Sequence, residues 1–79
     1  MANPIKISVL GASGRMGRML LQAIIENENA ILVGASEQTG HNWVGKDVGI
    51  LAFGKENGII VSDKPIDVIL KSQAIVDFT

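Results

Sequence analysis

The stretch "VLGASGRMGRML" (residues 9–20) places glycines at 11, 14 and 17 and arginines at 15 and 18, directly after a β-branched run. Glycine in such a bend permits positive φ and lets another group approach the backbone with no Cβ between them. A helix starting there offers unpaired N–H groups and a partial positive charge of about half a unit. Together these suit a pyrophosphate, with Gly17 small enough for the helix to pack on the strand. The spacing is G-x-x-G-x-x-G, and Ser13 stands where the commoner G-x-G-x-x-G pattern has its middle glycine.

A second group with chemistry follows the next apolar run. Glu37 lies twenty positions beyond Gly17, where a dinucleotide fold puts the carboxylate that accepts from the adenosine ribose. Alone, Glu37 reads equally as a solvated loop residue; paired with the glycine turn, the ribose role is favoured. Arg15 can reach phosphate oxygens or the 2′-phosphate of NADP. Arg18 can do the same, pair with Glu37, or lie on a solvated helix face. Glu37 thus favours NAD, whereas Arg15 tolerates NADP. His41 and Trp43 have no second histidine and no cysteine nearby, so no metal ligand is assigned. Trp43 is expected to cover the sheet edge or pack on the loop. Asp77, within an apolar strand, needs donors if buried: either the N–H groups of the glycine turn, or, equally, those of a segment expected downstream that it would cap.

Positioning these groups requires a strand, a turn and a helix in that order. "IKISVL" (5–10) reads as a strand whose first half is partly exposed, since Lys6 and Ser8 interrupt it. From Arg15, Met16, Met19, Leu20, Ala23, Ile24 and Asn27 recur at helical spacing and predict the buried face of a helix. Asn27 and Asn29 suit its C-terminal end. "AILVGAS" (30–36) is a second strand, and a polar, glycine-punctuated stretch runs from Glu37 to Gly58 with one helical turn near Val48–Phe53. "IIVS" (59–62) is a third strand. Asp63 can cap a short helix through "PIDVILK", with Pro65 in its first turn. "AIVDFT" (74–79) is a fourth strand, with Phe78 and Thr79 at the carboxyl end, the edge where open α/β sheets bind ligands.

The series predicts an α/β fold: a Rossmann-like parallel sheet with flanking helices and right-handed crossovers. A closing strand without a covering helix leaves an open edge. Residues 1–79 are therefore expected to be the first four strands of a larger dinucleotide-binding domain, with the substrate domain outside this chain.

Composition narrows the classes. The 79 residues carry a net charge of −1 and no cysteine, and 47% are hydrophobic. A core of that richness excludes a disordered chain. The balanced charge argues against nucleic acid or anionic lipid as partner. No stretch approaches the roughly 18 apolar residues of a membrane span, and no signal-peptide core is present, so a cytoplasmic location is expected.

"GASGRMGR", the glutamate in "VGASEQTG", "VGKDVG" and the closing "VDFT" together resemble the N-terminal part of the 4-hydroxy-tetrahydrodipicolinate reductase family across essentially the whole chain. The resemblance implies an NADH- or NADPH-dependent reductase of lysine and diaminopimelate synthesis. It also implies a small heterocyclic dicarboxylate substrate and a homotetrameric full-length protein. By this likeness Gly11, Ala12, Ser13, Gly14, Arg15 and Met16 form the pyrophosphate loop, with backbone N–H groups as donors. Glu37 reads the ribose, and Phe78 and Thr79 border the nicotinamide half. Members often carry an arginine after the glutamate; here Gln38 takes that place. The family's substrate-binding histidines and lysine and its general acid fall beyond Thr79, so no catalytic residue is assigned and this chain alone is expected to be inactive. Other dehydrogenases, or a non-catalytic nucleotide sensor, can open with a comparable unit.

Overall fold

The computed structural model describes residues 3–79. Its elements are β1 (Ile5–Leu10), α1 (Arg15–Glu26), β2 (Ala30–Ser36), α2 (Val48–Phe53), α3 (Pro65–Ile69) and β3 (Ala74–Asp77). The strands form one parallel sheet in the order β2-β1-β3. Side chains on successive strand residues point to opposite faces. Accordingly Val9 joins the main core with Leu21 and Ile24 of α1, while neighbouring Ser8 faces α3 and donates its hydroxyl to Val68 O at 3.3 Å. Helices therefore cover both faces of the sheet, as the sequence predicts.

The β1–β2 register skips Val33 between the Ile7↔Leu32 and Ser8↔Gly34 pairs. Gly34 sits at this irregularity because α3 comes close there. A Cβ on Gly34 would lie 2.7 Å from Val68 Cγ1 and 2.9 Å from Ser8 Oγ. Beyond β2, Val61 and Val48 complete the main core, and Trp43, only 7% exposed, is a full member of it. The indole thus packs within the core, deeper than a sheet-edge cover.

Three expectations about elements need correction. The predicted third strand, 59–62, touches the sheet through the single parallel bridge Ser36↔Ser62 and otherwise makes an antiparallel bridge, Asp47↔Ile60. Its inner hydrogen bonds go to the preceding loop: Gly45 N donates to Val61 O, Val61 N to Lys46 O, and Val48 N to Ile59 O. Those bonds draw the segment away from a full ladder, although it still lies beside β2.

The buried face of α1 is Gly17, Leu21 and Ile24; Met16 and Met19 are about 60% exposed. The reason lies at Gly17, where a Cβ would stand 2.4 Å from Ala12 O. Contact that close turns the Gly17 side of the helix inward and leaves Met16, Met19, Leu20 and Ala23 along an apolar groove with Val76 and Phe78. Finally, Asp63 does not cap α3. Lys64 holds the cap position with no side-chain bond, and Pro65 opens the helix.

The short turn Val48–Phe53 and the end of α1 follow expectation. Asn27 is the C-cap of α1, and its Oδ1 accepts from Asn29 N at 2.7 Å.

Candidate functional site

A cavity of about 540 Å³ opens at the carboxyl ends of the strands. The first turn contributes Gly11, Ser13 and Gly14; the end of β2 and its loop contribute Ser36, Glu37, Gln38 and Thr39. Asp63, Pro65, Phe78 and Thr79 complete the lining. Ligands of open α/β sheets bind along this edge.

The turn is built by specific bonds. Gly11 adopts φ +71°, which L side chains rarely take, and a Cβ there would lie 3.2 Å from Phe78 C. Glycine thus permits both the bend and the close approach of the β3 terminus, where Phe78 N donates to Leu10 O at 2.9 Å. The N–H groups of Gly11 and Ala12 both donate to Ser36 O, at 3.0 and 3.2 Å. Ser13 N donates to Glu37 Oε2 at 2.7 Å. These three amides hold the turn against β2, so the pyrophosphate donors expected over the whole of 11–16 narrow to those from Gly14 onward.

At Gly14 the helix starts with no capping side chain and no acid in its first turn. A Cβ on Gly14 would meet nothing within 4 Å. The first-turn N–H groups of α1 therefore have no side-chain acceptor at the cap, and the positive end of a 12-residue helix borders the cavity. Arg15 is the first helical residue and is exposed. The Met16 side chain lines the apolar groove, so only its backbone belongs to this turn.

Glu37 is the other pole of the site. Partial burial works against its charge. Hydrogen bonding from the Ser13 backbone and hydroxyl, electrostatic attraction to the neighbouring His41 and hydrogen bonding from the Gln38 backbone together outweigh that and hold its pKa below the ordinary value. It is ionised at neutral pH and set 24 residues from Ser13 along the chain.

Arg18 engages neither Glu37 nor open solvent alone: its Nε donates to Ser13 O at 3.2 Å, and its guanidinium lies 5.1 Å from the centroid of the Trp43 ring. His41 meets that indole edge-on at 6.3 Å, and its Nδ1 accepts from Trp43 N at 3.0 Å. Asp77 is exposed and does not reach the glycine turn. Its carboxylate accepts from the Thr79 hydroxyl and from Thr79 N at 2.8 Å, and these bonds, the hydroxyl's first, lower its pKa.

Sequence reasoning did not assign Ser36, Thr39, Asp63 or Pro65 to the site. The signal was there: Asp63 directly follows a segment running parallel beside β2, which puts it at the same carboxyl edge. Among the described residues no group of three or more His, Cys, Asp and Glu could hold a metal ion, and no helix is long and apolar enough to cross a membrane.

A parallel sheet with helices on both faces, a glycine turn leading into a helix, and an acid at the end of the neighbouring strand define a Rossmann-like unit. Residues 5–79 match the family described as dihydrodipicolinate reductase, N-terminus, and the chain belongs to that family. Its similar relatives include a 4-hydroxy-tetrahydrodipicolinate reductase of Roseobacter denitrificans, 43% identical over 79 residues, which are 100% of this chain and 29% of that protein. The reductase of the same name from Ruegeria pomeroyi is 44% identical over 73 residues, 92% of this chain and 27% of the relative. That of Aromatoleum aromaticum is 41% identical over 76 residues, 96% and 27% of the two chains. The chain thus spans less than a third of the length of these relatives.

Proposed function

We propose that this chain binds the dinucleotide of a 4-hydroxy-tetrahydrodipicolinate reductase, NADH or NADPH, along the carboxyl edge of its sheet. The observation that carries the reading is the uncapped N-terminus of α1, open at Gly14, in the same cavity as the ionised Glu37. The residues fit the group. Amide N–H groups and the helix dipole favour the diphosphate, and no Cβ at Gly14 obstructs it. The Glu37 carboxylate accepts from ribose hydroxyls, so a 2′-phosphate placed there meets a fixed negative charge. Gln38 adds no cation to offset that repulsion, which favours NADH over NADPH. Phe78 and Thr79, lining the same cavity, border the nicotinamide half.

When bound, the nicotinamide supplies the hydride, and the protein contributes placement and electrostatics. In the full-length protein the acceptor is a small heterocyclic dicarboxylate. This chain holds the dinucleotide and leaves reduction to residues outside it. Titrating the chain with NADH and NADPH tests the reading: saturable binding of NADH, tighter than of NADPH, is expected. Absence of binding by either overturns it.

A further inference from the structure

We propose that Arg18 is a positioning residue for the diphosphate turn: by holding the Ser13 carbonyl it turns the Gly14 N–H toward the cavity. The inference rests on the dinucleotide reading and adds how the turn is kept in its receptive form. A trans peptide is planar, with its C=O and N–H on opposite sides. The carbonyl of Ser13 and the N–H of Gly14 belong to one such unit. Arg18 Nε takes that carbonyl at 3.2 Å, so the N–H of the same unit faces away from Arg18. Gly14 is among the residues that line the cavity, and Arg18 is not.

A device of this kind is needed because the turn is rich in glycine. Gly14 has no Cβ to resist rotation of the peptide before it. In the flipped form, a carbonyl dipole would present its negative end to the diphosphate. Two successive peptides are therefore gripped by side chains from different elements. Glu37, after β2, holds the N–H of Ser13, and Arg18, on α1, holds its carbonyl.

Arg18 is itself held. Its guanidinium lies over the Trp43 ring at 5.1 Å, and that ring is anchored in the core at 7% exposure. An arginine near the start of a helix is disfavoured by the dipole. Stacking on an aromatic face and a charge-assisted bond to a carbonyl give this one a compensating place.

The test compares Arg18→Met with Arg18→Gln. Glutamine's Nε2 is separated from Cα by the same number of bonds as arginine's Nε, so it keeps a donor for Ser13 O while losing charge and stacking. Methionine keeps bulk and loses the donor. Both lose the contact with Trp43, so any cost to stability is shared and cancels in the comparison. Affinity for ADP-ribose is measured by calorimetry, and the Gly14 amide is followed by NMR. Arg18→Met is expected to weaken ADP-ribose about ten-fold, with a diminished response of the Gly14 amide. Arg18→Gln is expected to stay within about three-fold of the original chain, with that response kept. If the glutamine variant falls as far as the methionine one, Arg18 acts through its charge and the proposal fails. It fails equally if methionine changes nothing. An original chain that does not bind ADP-ribose overturns the dinucleotide reading itself, which the variants alone do not.

Discussion

Two carboxylates in this chain do opposite things with the same chemistry. Asp47 starts α2 and accepts from four backbone amides: Gly49 at 2.8 Å, Ile50 at 3.2 Å, Asn57 at 3.1 Å and Gly58 at 2.9 Å. Glu37 accepts one close bond, from Ser13 N at 2.7 Å, with weaker support from the Ser13 hydroxyl and the Gln38 backbone, and borders a cavity. Both have lowered pKa values; at each, desolvation opposes the charge and hydrogen bonds from the chain outweigh it. The shift alone therefore does not separate them. The number of acceptor positions left open does. Asp47 is saturated by its own loop and closes it. Glu37 retains lone pairs for donors that the chain does not supply.

The glycines around them divide in the same way. Gly49 is needed because a Cβ there would lie 2.3 Å from Lys55 O, and Gly17 because one would lie 2.4 Å from Ala12 O. Gly14 has no such neighbour within 4 Å. With neither a close neighbour nor a positive φ to require glycine there, the open space at Gly14 is what the proposed diphosphate site needs.

This contrast can be broken most sharply at Gly14. Gly14→Val is expected to lower NADH affinity about 100-fold or more while leaving the urea midpoint nearly unchanged, since the backbone there is extended at φ −67°, ψ 168°. Calorimetry and a denaturation curve on one preparation read both effects. Gly17→Ala should do the converse. It forces α1 off the turn and destabilises the fold by about 1–3 kcal/mol, read as a lower urea midpoint. Next in size, Glu37→Ala should weaken NADH about ten-fold and NADPH less, because the ribose loses an ionised acceptor while the 2′-phosphate loses a repulsion. Equal losses for the two would remove Glu37 from the ribose.

The smallest effect on binding is expected from Asp47→Asn, which should lower stability and leave the ratio of NADH to NADPH affinity unchanged. Its pH dependence has a definite sign. A carboxylate whose folded pKa is depressed stabilises fully above the unfolded value, and that stabilisation is lost as pH falls through the lowered folded value. The gap in urea midpoint between the original chain and Asp47→Asn should therefore be widest at neutral pH and close once the carboxylate is protonated. A gap that persists in acid would mean the loop is held by something other than the ionised Asp47.

Local patterns carried much of this into view. The strand-to-helix turn and the acid twenty residues on were readable because both obey short-range rules of glycine conformation and helix termini. The same rules marked Val48–Phe53 and the asparagine at the end of α1. What escaped depends on long-range approach. The inward face of α1 is set by Gly17 meeting Ala12 O, and hydropathy alone pointed to the Met16–Met19 side. The segment 59–62 has strand composition, yet the Val61 amide and the carbonyls of Ile59 and Val61 are taken by the 45–48 loop. Sequence reasoning did not assign Asp47 as a cap, and its bonds to Asn57 and Gly58 exist only once the loop has closed.

Cocrystals of this chain with NADH put the central claim to its most direct test. The account predicts diphosphate oxygens within hydrogen-bond distance of the backbone N–H groups that begin at Gly14, with the adenosine ribose at Glu37. A diphosphate lodged instead over the apolar groove of Met16, Met19 and Phe78, or between β2 and α3, would contradict it.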